Sequence, residues 1–200
     1  MPRNIEIKAR VEQPEAVLER ARALADGPAE LLEQDDSFFA VPHGRLKLRA
    51  QAGGPAELIH YERPDAEQAR ASDYVRVPVP DPDAMRAALA RALGAAGRVR
   101  KRRWLLRVGA TRIHLDRVEG LGDFIELEVV LREGQSDAEG AAVAEALMQA
   151  LGLAQAPRVA PAYVDLLSGP GRRARLDVSC ASSVPAAGAS AQTAPAPATE

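Results

Sequence analysis

Two hundred residues with 46% hydrophobic side chains suffice for one domain with its own core, alone or followed by a tail. The net charge of −2 announces no nucleic-acid or anionic-membrane partner, and no apolar run approaches the length of a membrane span. A single cysteine, Cys180, excludes an intrachain disulfide, no Cys/His zinc spacing occurs, and MPRNIEIKAR lacks a signal-peptide core, so the expectation is a cytoplasmic protein.

Alternation of apolar and charged residues runs through the chain. Arg3 to Val11 is predicted as a strand, with Ile5, Ile7, Ala9 and Val11 on one face and Glu6, Lys8 and Arg10 on the other. Pro14 to Ala25 follows as a helix, striped by Val17, Leu18, Ala21 and Leu24 and ended by Gly27-Pro28. Leu31 to Phe39 is a second strand, carrying Gln34, Asp35 and Asp36. After a turn at Pro42-His43-Gly44, Leu46 and Leu48 alternate with Arg45, Lys47 and Arg49. Glu57 to Arg63 is a further strand, ended by Pro64, and a polar loop then runs to about Ser72 before a strand over Tyr74 to Val79. Pro82 to Leu93 is a helix with Asp81 as N-cap and Gly94 as its stop.

Arg98 to Val108 is a long, very basic strand. Arg112 to Leu131 then reads as a hairpin turned by Gly120 and Gly122. Asp116, Glu126 and Glu128 can share one face of it, with Arg112 nearby; such a face is either solvated or a site for a hard divalent cation. Asp137 to Leu151 is a third helix, opened by a capping box of Ser136 and Glu139. Tyr163 to Leu167 is a short closing helix. From Gly169 the chain turns to Ala, Pro, Ser, Gly and Thr without apolar periodicity, which predicts a domain over 1–168 and a disordered tail over 169–200.

About eight hairpin-connected strands and three longer helices give an α+β class: an eight-stranded antiparallel β-barrel, closed or nearly closed, with helices packed outside. The charged strand faces differ in sign. Lys47, Arg49, Lys101 and Arg103 are basic, whereas Asp116, Glu126 and Glu128 are acidic. Amphipathic helices need apolar sheet surface to cover. If they cover the outside, the charged faces point inward, and burying them is costly unless something charged fills the barrel. A polyanion chelated by divalent metal would satisfy both signs. The alternative is a half-open sheet with its charged face in water. Arg98, Arg100 and Arg102 have the opposite parity from Lys101 and Arg103 and are expected in solvent or partly under a helix. His114 shares parity with Asp116; a structural hydrogen bond is the expectation for it.

Taken in order, these strands resemble the CYTH superfamily, the triphosphate tunnel metalloenzymes, over about Arg3 to Leu167. That group includes class IV adenylate cyclases, thiamine triphosphatases and inorganic triphosphatases. Its opening Glu-x-Glu-x-Lys corresponds to Asn4-Ile5-Glu6-Ile7-Lys8, with Asn4 replacing the first Glu. Further matches are LKLR at Leu46 to Arg49, Tyr61-Glu62-Arg63-Pro64, Lys101-x-Arg103 and IHLD ending at Asp116. Gly120-Leu121-Gly122-Asp123-Phe124, followed by Glu126 and Glu128, is similar to the class IV adenylate cyclase branch.

The resemblance implies a triphosphate-bearing small molecule, ATP or similar, held with Mg²⁺ or Mn²⁺ in the tunnel. It implies Glu6, Asp116, Glu126 and Glu128 as metal ligands and Lys47, Arg49, Arg63, Lys101, Arg103 and Arg112 on the phosphates. Lys8, Glu126 and Glu128 would be catalytic, and Tyr163 and Asp165 would close one tunnel end or simply pack. The implied activity is cyclisation of ATP to cyclic AMP and pyrophosphate. Hydrolysis of thiamine triphosphate, inorganic triphosphate or a nucleoside triphosphate is the alternative, and a non-catalytic polyphosphate- or nucleotide-binding module is a third. A homodimer is compatible with all three; nucleic acid and membrane are not expected partners.

Overall fold

The computed structural model describes residues 3–62 and 70–169; the predicted tail and Arg63 lie outside the described residues, Gly169 apart. The elements are β1 (Arg3–Arg10), α1 (Pro14–Leu24), β2 (Glu30–Phe39), β3 (Arg45–Gln51), β4 (Ala56–Glu62), β5 (Arg70–Val79), α2 (Pro82–Leu93), β6 (Ala95–Val108), β7 (Thr111–Val118), β8 (Gly122–Val130), α3 (Asp137–Ala150) and α4 (Tyr163–Ser168). The eight strands close into a barrel in the order β1-β5-β4-β3-β2-β6-β7-β8, every neighbouring pair antiparallel. Closure leaves no unpaired sheet edge.

The barrel is inverted as the alternation predicts. The outward residues Ile5, Ile7, Ile113, Ile125 and Leu127 are buried with Val17 and Ala21 of α1 and Ala144 and Met148 of α3. A smaller outer cluster joins Phe39, Leu48 and Val79 to Met85 and Leu89 of α2. Helix α3 lies close enough to β1 that a Cβ on Gly140 would stand 2.7 Å from Ile5 and 2.5 Å from Leu131. Its N-terminus is fastened by the Ser136/Glu139 capping box. None of the described helices is long and apolar enough to cross a membrane.

Two boundaries differ by more than one residue from the alternation-based expectation. Strand β5 begins at Arg70 rather than Tyr74 because its first residues pair with β1, Glu6 opposite Arg70 and Arg3 opposite Asp73. Strand β6 begins at Ala95 rather than Arg98 because its start pairs with the end of β2, across a register shift at Phe38/Phe39. Both extensions are set by partners distant in sequence.

The barrel has one sealed end. Phe38, Val99, Val118 and Phe124 point inward there and pack against Ala162, Tyr163 and Val164 at α4. Gly97 permits the seating, since a Cβ there would lie 2.5 Å from Val164. Arg45 holds the helix from outside the cluster through an ion pair with Asp165 at 2.8 Å. Both residues proposed to close the tunnel are therefore at one end of it.

Candidate active site

Below the α4 seal the barrel encloses a cavity of about 300 Å³. Each strand contributes alternate residues to its wall: Asn4, Glu6 and Lys8 from β1, Gln34 and Asp36 from β2, Lys47 and Arg49 from β3, Lys101 and Arg103 from β6, Arg112 and His114 from β7, and Glu126 and Glu128 from β8. Strand β3 is four places round the ring from β8. In an eight-stranded barrel that sets Lys47 and Arg49 across the lumen from Glu126 and Glu128. Among the described lining residues, eight carry positive charge and five carry carboxylates.

The basic side is organised on Asp36. Its carboxylate accepts from Arg49 at 2.7 Å through both Nε and Nη2, from Lys47 at 3.1 Å and from Lys101 at 3.3 Å. Burial pushes the Asp36 carboxyl up, but Arg49, Lys101 and Lys47 outweigh it and hold the group well below the usual carboxylate range. One carboxylate cannot neutralise three cations. Burial and then Arg49 pull the Lys47 ammonium down from 10.5 to about 7, against the attraction of Asp36. Burial also lowers Lys101, with Arg103 and Arg49 adding to it and Asp36 opposing.

Arg103 stands between the two signs. Its guanidinium grips Asp116 through two hydrogen bonds of 2.6 Å and reaches Glu126 at 3.0 Å. Burial alone would lower Arg103, but Asp116 outweighs it and raises it well above its usual value. Asp116 is completely buried, and the Tyr163 hydroxyl donates to it at 3.1 Å. This carboxylate, expected among the metal ligands, thus sits behind Arg103 and is not part of the cavity wall.

The acidic side consists of Glu6, Glu126 and Glu128. Glu6 stands opposite Glu128 in the β1–β8 register, and Lys8 opposite Glu126. Arg112 approaches Glu128 at 3.4 Å. His114, directly opposite Glu126 on β7, presents Nδ1 3.8 Å from an oxygen of Glu126 and 3.8 Å from an oxygen of Glu128. The expected structural hydrogen bond is not made at Nδ1, which is buried and has no hydrogen-bond partner among the described residues. Burial and then Arg103 push the imidazole below its usual range, against Glu128 and Glu126, so its neutral form dominates at neutral pH.

The donor set fits a divalent cation. Ligand atoms of His114, Glu126 and Glu128 all lie within 4.8 Å of one another. A buried nitrogen or amide oxygen left without a partner costs about 1–3 kcal/mol, and both His114 Nδ1 and Asn4 Oδ1 are in that state among the described residues. A cation held by the glutamates at His114 would remove the deficit at Nδ1.

The expected site residues divide by position. Lys47, Arg49, Lys101, Arg103 and Arg112 all line the cavity with Glu6, Glu126 and Glu128. Lys8 also lines it, but its ammonium donates to the Pro161 carbonyl and lies 4.7 Å from the centre of the Tyr163 ring, which places it at the α4 end. Arg98, Arg100 and Arg102 are outside, paired with Asp35, Asp35 and Glu119, and Glu33. Sequence reading gave Asp36 no role. Its parity with Gln34 was visible, but its grip on three cations needed the β2–β3 and β2–β6 registers. The unpartnered Nδ1 of His114 likewise had no signal beyond parity.

Comparison with known proteins gives the same fold. The CYTH domain family model matches residues 2–163. No curated protein matches the chain. The chain is similar to the PH1012 protein of Pyrococcus horikoshii at 26% identity and a TM-score of 0.72, over 80% of this chain and 97% of that one. A protein of Vibrio parahaemolyticus described as a "putative adenylate cyclase" shares the fold at 21% identity and a TM-score of 0.68, over 83% and 98% of the two chains. A Hippeastrum protein described as a "putative adenylyl cyclase" with a dominant triphosphatase activity shares it at 15% identity and a TM-score of 0.58, over 84% and 94%. With an inverted eight-stranded tunnel, opposed charges inside it and a family match over most of its length, the chain belongs to the CYTH domain family.

Proposed function

We propose that the chain is a metal-dependent enzyme acting on the triphosphate of a small molecule, with cyclisation of ATP to cyclic AMP and pyrophosphate as its leading activity. One observation carries the reading: a closed lumen whose cationic strand β3 stands across from its acidic strand β8, with an excess of cations among the described lining residues. Lys47, Arg49, Lys101 and Arg103 hold phosphate oxygens, the arginines as planar forks and the lysines as point charges. Arg112 and Lys8 extend this set towards the two ends of the lumen, and Arg63, outside the described residues, is assigned with them on resemblance alone.

Glu126 and Glu128, with Glu6, hold Mg²⁺ or Mn²⁺ and are the residues on which turnover depends. A bound divalent ion supplies Lewis-acid charge to the attacking oxygen and to the phosphoryl oxygens. Burial of Lys101, Asp36, Arg103 and Asp116 strengthens the charge contacts among them. Asp116 is proposed as a positioning residue, since it fixes Arg103, rather than as a ligand. The chain of Gly120 to Phe124, so similar to the class IV adenylate cyclases, supports cyclisation over the alternatives.

Hydrolysis of a triphosphate is the second reading. It is supported by the charged lining, whose cations suit a phosphate chain whether organic or inorganic. Incubating the purified protein with ATP and Mg²⁺ or Mn²⁺ separates the two. Cyclic AMP with pyrophosphate upholds cyclisation. Nucleoside diphosphate with phosphate, or consumption of tripolyphosphate alone, replaces it with hydrolysis. Tight triphosphate binding without turnover in any divalent metal leaves only a binding module.

A further inference from the structure

We infer that His114 is a ligand of the tunnel cation, and that this one nitrogen makes the site select Mn²⁺ over Mg²⁺. The inference rests on the proposed metal-dependent reading of the tunnel and specifies which ion it takes.

Geometry points to this first. Nδ1 of His114 is equidistant, at 3.8 Å, from one oxygen of each glutamate. That distance exceeds a hydrogen bond. It is within the roughly 4 Å that can separate two ligands each about 2.1 Å from a shared ion. The residue is 4% exposed, and Nδ1 has no hydrogen-bond partner among the described residues. An imidazole nitrogen aimed at two carboxylates, without a proton contact to either, is arranged as a third ligand.

Chemistry then sets the preference. Mg²⁺ demands oxygen donors in a near-ideal octahedron and gives up its waters reluctantly, whereas Mn²⁺, although it too prefers oxygen, is a transition ion that accepts a nitrogen donor in place of one oxygen. Asn4 acts in the same direction. It lies next to Glu6 on the inward face of β1 and puts an uncharged, unpartnered amide oxygen where a carboxylate would have strengthened hard-cation binding. Arg103 and Arg112 already draw on Glu126 and Glu128, so the site has little spare negative charge for an ion that depends on charge alone.

The test uses the whole protein and the metals alone. Pulsed electron paramagnetic resonance of bound Mn²⁺ is expected to show modulation from a directly coordinated ¹⁴N, and the modulation should change when histidine is supplied as ¹⁵N. His43 and His60 do not line the cavity, so the signal would report His114. In His114→Gln the nitrogen modulation should vanish. Calorimetry should show Mn²⁺ affinity falling at least about tenfold in that variant, with Mg²⁺ affinity changing less than about twofold. Bound Mn²⁺ without nitrogen modulation in the wild-type protein would overturn the inference while leaving a metal-dependent tunnel in place. Failure of both ions to bind, alone or with tripolyphosphate, would overturn the metal-dependent reading itself. The isotope experiment needs no substitution, so a poorly folded variant does not decide it.

Discussion

Strand β6 carries cations on both of its faces, and the two rows behave differently. On the outside, Arg98, Arg100 and Arg102 have side chains about half exposed and pair with carboxylates on β2 and at the turn after β7. On the inside, Lys101 and Arg103 are 3% and 6% exposed and are locked to Asp36 and Asp116. Residue type is nearly the same in both rows; only parity differs. The outer pairs compete with water and salt, so each contributes little. The inner pairs have lost their water, so removing one partner strands the other. On the proposed reading, the inner cations have a second use in holding phosphate.

Replacing Arg103 with Met is the strongest way to break this contrast. It leaves Asp116 buried without its counter-charge, and a loss of about 3–5 kcal/mol is expected in chemical denaturation. A loss below 1 kcal/mol would make the inner row no different from the outer. Glu128→Gln acts on the opposite wall. It removes a proposed metal ligand, and turnover of ATP or tripolyphosphate is expected to fall about 10²–10³-fold, comparable to deleting one preorganised charge contact at a reacting centre. Unchanged turnover in saturating metal would remove Glu128 from the site.

Lys47 sharpens the comparison through pH. Its folded value of about 7 is below the ordinary 10.5, so between those values the unfolded chain binds more protons than the folded one. Stability contributed by this group therefore rises with pH from about 7 to 10.5. Triphosphate binding has the reverse preference, because phosphate favours the charged ammonium. Affinity should fall, up to about tenfold per pH unit, as pH climbs above this value. Calorimetry in two buffers of different ionisation enthalpy should detect proton uptake on binding at pH about 8.5, little at pH about 5.5, and a markedly smaller uptake in Lys47→Met. The smallest effect is expected at Arg98→Ala: no more than about 1 kcal/mol in stability and no change in turnover.

Much of this was legible without coordinates, for a definite reason. A strand's two-residue period assigns every side chain to one face. Once the helices are assigned to the outside, Glu6, Lys47, Arg49, Lys101, Arg103, Glu126 and Glu128 must all point into the lumen, and they line it. Parity does not say which residues meet. Asp116 shares the inward parity of Glu126, yet register places it against Arg103 and the α4 hydroxyl of Tyr163. Asp36 becomes the hub of the basic side because β2 lies between β3 and β6 in the barrel, an order fixed by pairings across the chain. Lys8 is drawn to the sealed end by a carbonyl and a ring more than 150 residues away. Boundaries failed where distant partners extend a strand, at the starts of β5 and β6.

The most direct measurement is calorimetric titration of the intact protein with tripolyphosphate, with and without Mn²⁺. Tight binding that needs the metal, is weakened strongly in Glu128→Gln and is indifferent to Arg98→Ala is the expected result. No heat of binding in any divalent metal, or equal binding by the Glu128→Gln protein, would contradict a tunnel built to hold a metal-bound phosphate chain.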